Sequence, residues 1–131
     1  MFLHIKAIKA KDVPKLDIIT HSDPYLVFKL NSNPQTWKTD HKTNVSEPIW
    51  NQEFLLPLSK DLNDMLTIKL YDKDLTFDDL ISTIQINVKE IPIGKEFKNW
   101  YYFNPANGVK SGGQVQLIIK IDDSNCEIFG D

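Results

Sequence analysis

The sequence contains no arginine, all 15 of its basic residues being lysines. Without guanidinium forks the chain lacks the planar, bidentate donors that read guanine edges and clamp phosphates in pairs. A formal net charge of -3 also denies it the concentrated positive stripe of a nucleic-acid binder. No nucleic-acid partner is expected. Cysteine is almost as scarce. Cys126 stands alone near the C-terminus, so no intrachain disulfide can form and a reducing compartment is expected. Long apolar runs are missing as well. The segment from Met1 to Ala10 is interrupted by His4, Lys6 and Lys9, which makes it too polar for a signal-peptide core and too short to cross a bilayer. A cytoplasmic location follows as the expectation.

Sustained helical periodicity, internal repeats, low-complexity tracts and linkers are also absent. What remains is an ordinary globular composition over 131 residues, 41% apolar and 25% charged, which fits one domain. A chain of this size buries roughly two-thirds of its unfolded surface and needs neither a disulfide nor a structural metal to fold. Any metal is then functional.

Short alternating segments separated by turn residues indicate an all-β sandwich or barrel. Leu3, Ile5 and Ala7 alternate with His4 and Lys6; Leu66, Ile68 and Leu70 with Thr67 and Lys69; and Val115, Leu117, Ile119 and Ile121 repeat the pattern near the end. Further strands are expected at about 24–31, 35–42, 50–57, 81–89 and 97–103, eight in all. Pro34, Pro48, Pro92, Pro105 and the pair Gly112-Gly113 are placed between strands, where a missing donor or a positive φ does no harm. The domain is expected to occupy residues 1–122, with 123–131 a mobile tail that shows no alternation.

Carboxylates gather in two places, Leu16-Asp17-Ile18-Ile19-Thr20-His21-Ser22-Asp23-Pro24-Tyr25 and Leu70-Tyr71-Asp72-Lys73-Asp74-Leu75-Thr76-Phe77-Asp78-Asp79. Residues two apart on a strand project to one face, so a single ion can touch both Asp72 and Asp74. Calcium takes six to eight hard oxygens in a flexible shell and suits such loops better than magnesium, which keeps a tight, hydrated octahedron. An Asp-x-Asp pair by itself is usually a solvated turn.

As a set, the motifs resemble those of the C2 domain family. They run in the family's order: the Leu3-x-Ile5-x-Ala7-Ile8-x-Ala10 opening, Leu16-Asp17, Ser22-Asp23-Pro24-Tyr25, Glu47-Pro48-Ile49-Trp50-Asn51-Gln52-Glu53-Phe54, Tyr71-Asp72-Lys73-Asp74 and Asp79-Leu80-Ile81. The resemblance covers about residues 2–121. It implies an eight-stranded antiparallel Greek-key β-sandwich with three calcium loops at one end. Because the last strand resembles the first strand of the alternative permutation, the type II arrangement is implied. Carried over residue by residue, the calcium ligands are Asp17, Asp23, Asp72, Asp74 and Asp79, with the backbone carbonyls of Leu16 and Lys73. Asp78 is an alternative to Asp79 because the third loop is one residue shorter than in many members. Asn44 lies where some members place an amide ligand. Two positions depart from the family's pattern, Ser82 standing for a glycine and Glu47 for an asparagine.

The function implied is calcium-dependent binding of phospholipid membranes. Two bound calcium ions would carry the formal charge from -3 to +1, turning the loop end attractive to anionic lipid. Ile18, Ile19, Leu75 and Phe77 are apolar where a solvated turn is normally polar, and are expected to contact the bilayer. Lys29 and Lys38, with Lys42 nearby, match the family's anionic-headgroup face, and Trp37 and His41 alternate with them. Two other classes stay open: a calcium-independent domain that binds a protein partner, and a metal-dependent transferase using Asp-x-Asp. His4, His21 and His41 have no zinc spacing, and no nucleophile elbow or phosphate-cradling glycine loop occurs. No catalytic residue is expected.

Overall fold

The computed structural model describes residues 1–16, 20–126 and 129. Among these, nine strands form in chain order: β1 (Phe2–Lys11), β2 (Pro24–Leu30), β3 (Thr36–Lys38), β4 (Ile49–Pro57), β5 (Met65–Asp72), β6 (Asp79–Asn87), β7 (Phe97–Tyr102), β8 (Asn104–Pro105) and β9 (Gln114–Asp122). Eight of them overlap the expected segments, although β3 takes up only three residues of the expected 35–42. The ninth, β8, is a two-residue strand on the edge of β6 and contains Pro105, a residue expected between strands. A proline is tolerated there because an edge strand need not donate outward.

The strands make two antiparallel sheets, ordered β4-β1-β9-β7 and β3-β2-β5-β6-β8. Alternation in sequence becomes alternation across each sheet. Along β9, Val115, Leu117, Ile119 and Ile121 are buried while the residues between them are only partly so. Leu3, Ile5 and Ala7 of β1 meet them from the next strand, and Leu26, Phe28, Leu66, Ile68 and Leu70 face them from the other sheet. β1 lies beside β9, as the type II permutation requires.

Two irregularities aim the strand ends. In β1 the register shifts between Ala7 and Lys9 against both neighbours, so that Ala10 returns to the core. In the second sheet Leu70 pairs with Ser82 but Tyr71 pairs with Leu80, leaving Ile81 as an extra residue. This bulge explains why Ile81 and Ser82 are both fully buried, and it sets Asp72 directly opposite Asp79.

Ser82, the departure from the family's glycine, has no positive φ. Its hydroxyl instead donates to the carbonyl of Gly112 at 2.8 Å. Phe129, in the segment expected to be a tail, is buried and packs edge-on against His4 with ring centroids 6.3 Å apart. His4 is itself buried and bonded to Asp122 at 2.8 Å.

Candidate functional site

Three loops meet at the end of the sandwich where β1 leaves, β2 and β4 begin, and β5 turns into β6. Backbone bonds lash them together. The Val45 N–H donates to the Ser22 carbonyl at 3.0 Å, Lys42 N–H to Pro24 at 3.1 Å and Lys73 N–H to Asp23 at 2.9 Å. The Ser-Asp-Pro-Tyr motif has a mechanical reason: Ser22 is 3% exposed and its hydroxyl donates to the Pro14 carbonyl at 2.8 Å, closing the first loop.

The carboxylates knit the same region. Asp72 Oδ1 accepts the backbone N–H of Asp23 at 2.8 Å, and Asp23 Oδ1 accepts that of Asn44 at 2.6 Å. Asn44, at φ +54, accepts the His21 N–H on its own Oδ1 at 2.7 Å. Its amide oxygen therefore joins the first loop to the second. Burial pushes the Asp72 carboxyl up from its ordinary value; the Asp23 N–H opposes this, and the charges of Asp23, Asp79 and Asp74 add to the rise. Three of the aspartates assigned to calcium, Asp23, Asp74 and Asp79, thus lie within electrostatic reach of a fourth, Asp72.

The fifth, Asp17, lies outside the described residues, as do Ile18 and Ile19. Leu16 is exposed at the entrance of the first loop. Among the described residues no three acidic, histidine or cysteine side chains close around a single point. Three oxygens of the set, on Asp72, Asp23 and Asp74, are turned to loop amides, and like charges oppose closer approach. The donor set nonetheless fits a hard divalent cation: it is all oxygen, borne on loops, and the charged form of its central member is disfavoured by burial first and by like-charged neighbours second.

Asp78 and Asp79, interchangeable in sequence, differ here. Asp79 faces Asp72 across the sheet. Asp78 instead accepts the Tyr25 hydroxyl and the Asp74 N–H at 2.9 Å, with Lys73 Nζ 3.6 Å away. These partners, the Tyr25 hydroxyl foremost, hold its carboxyl below the usual range. The Tyr25 phenol is raised by burial and by Asp78.

At the tip of the third loop Leu75 is 103% exposed and Phe77 is 84% exposed, so neither folds back onto the core. Beside this loop, on the outer face of the second sheet, a cleft is lined by Tyr25, Lys38, Thr39, Asp40, His41, Lys73 and Asp78, so that Asp40 interrupts its lysines. Lys29 lies in a separate cleft with Thr67, Lys69 and Tyr71, its ammonium bonded to the carbonyls of Leu30 and Asn33. The expected row of Lys29, Lys38 and Lys42 is therefore rearranged. Lys42 lines neither cleft. Lys69, not singled out in the sequence, lies in the cross-strand row with Val27 and Lys38. Its outward direction was readable from the alternation of β5, but its neighbours depend on strand register. Trp37 is a correction: it pairs with Phe28 and packs against the core, on the face away from Lys38.

Comparison with known proteins places this arrangement. The chain is 30% identical over 135 residues to Multiple C2 domain and transmembrane region protein 8 of Arabidopsis thaliana, covering 99% of this chain but 13% of that protein. It superposes on a C2 domain of a plant Extended Synaptotagmin 1 with a TM-score of 0.81 at 20% identity, covering 94% and 96% of the two chains. The calcium-bound pair of C2 domains of Extended-Synaptotagmin 2 gives 0.78 at 22% identity over 91% of this chain and 44% of that one. The family model for the C2 domain matches residues 1–103, and the chain belongs to the C2 domain family.

Proposed function

We propose that this domain binds phospholipid membranes in a calcium-dependent manner through the end that carries its three loops. The observation that carries the reading is the gathering of carboxylates around Asp72, which lies opposite Asp79 and accepts the Asp23 N–H, beside an exposed apolar tip at Leu75 and Phe77. A solvated turn has use for neither. The calcium-bound C2 domains of similar fold support the same reading.

Asp23, Asp72, Asp74 and Asp79, with Asp17 and the carbonyls of Leu16 and Lys73, would hold the ions. Bound calcium supplies positive charge and open coordination positions for lipid phosphate or carboxylate. The residues of the chain do the rest. The charge of Asp72, disfavoured by burial and then by its acidic neighbours, would be offset by the ion, and Leu75 and Phe77, with Ile18 and Ile19, would enter the interface. Lys38 and Lys69 add a weaker, sequence-tolerant attraction for anionic headgroups on the flank.

Calorimetric titration with calcium tests the metal half. Two or more ions should bind the wild-type domain, with binding lost or reduced in Asp72→Asn. A wild-type domain that takes up no calcium would leave the protein-interaction reading in its place.

A further inference from the structure

The third loop contains a brace that the calcium reading does not use. Asp78 is partly buried and is held from two sides: it accepts the Tyr25 hydroxyl on β2 and the Asp74 N–H at 2.9 Å on the opposite limb of the loop, with the Lys73 ammonium, next to Asp74, in ion-pair range at 3.6 Å. The Asp74 bond closes a short ring of chain, and the exposed residues Leu75, Thr76 and Phe77 are the whole of what it encloses. The Tyr25 bond ties that ring to the body of the sheet. Tyr25 is itself rigid, since it faces Tyr71 across β2 and β5 and stacks on it with centroids 5.5 Å apart and planes 18° apart.

We infer that Asp78 is a positioning residue: it takes no part in holding calcium, and it pre-forms the loop tip so that Leu75 and Phe77 stand clear of the core before any membrane is met. The inference rests on the proposed role of this end of the domain. Its physical content is pre-organisation. A loop held in its binding conformation loses less conformational entropy on contact than a free one. Asp79, one residue on, is set against Asp72 by the bulge at Ile81, so the two adjacent carboxylates have separate tasks. Asp79 opens β6 opposite Asp72, whereas Asp78 lies in the loop before the strand and is turned to Tyr25.

The test compares Asp78→Ala, Tyr25→Phe and Asp79→Ala. Tyr25→Phe removes one hydroxyl and keeps the ring stacked on Tyr71, so it loosens the brace without emptying the cleft. Calcium stoichiometry by calorimetry should match wild type in Asp78→Ala and Tyr25→Phe and fall in Asp79→Ala. Partition onto mixed phosphatidylcholine and phosphatidylserine vesicles at saturating calcium should drop roughly 3- to 10-fold in the first two, the scale of one or two lost hydrogen bonds. The double variant should be no weaker than Asp78→Ala, because both changes cut one contact. Backbone amide order parameters at Thr76 and Phe77, measured without calcium or lipid, should fall in Tyr25→Phe. A calcium site lost in Asp78→Ala makes Asp78 a ligand and overturns the inference, as do unchanged order parameters in Tyr25→Phe. Lowered order parameters in a domain that binds neither calcium nor vesicles would leave the brace standing and remove the function proposed for the loop.

Discussion

Replacing Phe77 by alanine removes the largest apolar side chain from the tip of the third loop. Phe77 is 84% exposed, so most of its surface is free to enter an interface and little of it supports the core. Full burial of such a side chain is worth about 1.5–3 kcal/mol. Scaled by that exposure, insertion contributes about 1.3–2.5 kcal/mol, so Phe77→Ala should weaken vesicle partition at saturating calcium by roughly 10- to 60-fold. The unfolding midpoint supplies the control. An exposed residue outside any packed or capping feature changes stability by no more than about 0.5 kcal/mol, so the variant should melt with the wild type. Sedimentation of vesicles with each protein at fixed calcium measures the first quantity, and thermal unfolding followed by near-ultraviolet circular dichroism measures the second. A partition change below about twofold, in a domain whose binding still requires calcium, would refute the insertion argument and leave electrostatic attraction alone.

Other perturbations probe different links. A β-carbon at Gly112 would stand 2.8 Å from the Phe103 carbonyl carbon, a backbone atom that cannot step aside, so Gly112→Ala should cost at least about 1–3 kcal/mol in chemical denaturation. At Asp122 burial opposes the charge, but the Ser124 N–H, His4 and Lys120 outweigh it and hold the carboxyl below its ordinary value. The folded state therefore favours the ionised form: the stability Asp122 contributes is present above the unfolded carboxylate pKa and is lost as pH falls through the lower folded one. Asp122→Asn should flatten that acid limb of the curve of unfolding midpoint against pH. Lys38→Gln combined with Lys69→Gln should weaken binding to anionic vesicles but not to neutral ones. That deficit should shrink as salt is raised, since screening at 0.1 M acts over about 10 Å.

Most of the scaffold was legible because its core strands alternate strictly. Along β9 and β5 each second residue is buried, and period two is visible in a single sequence. What escaped notice depends on pairing between strands. The two-residue β8 is too short to carry a pattern and exists only as a partner for Ser82 and Thr83. Trp37 alternates with the lysines in sequence, and only its pairing with Phe28 shows that its side of β3 packs against the core. Lys69 joins Lys38 only through Val27 between them. In the third loop the aspartates could be found from their flanking motifs, but Asp78 and Asp79 could be told apart only after the bulge at Ile81 had fixed which of them meets Asp72. The Asn44 oxygen also accepts the His21 N–H, a bond between two loops that no pattern in a single sequence reveals. Phe129 lacks any alternating context, and its burial against His4 arises from a contact between the two ends of the described chain.

Vesicle cosedimentation of the wild-type domain and Asp72→Asn, each with calcium and with chelator, tests the central claim most directly. Wild-type protein should pellet with mixed phosphatidylcholine and phosphatidylserine vesicles only when calcium is present, and Asp72→Asn should remain in the supernatant at the same calcium concentration. Binding that persists in chelator and is indifferent to Asp72→Asn would contradict the calcium-dependent reading of the three loops.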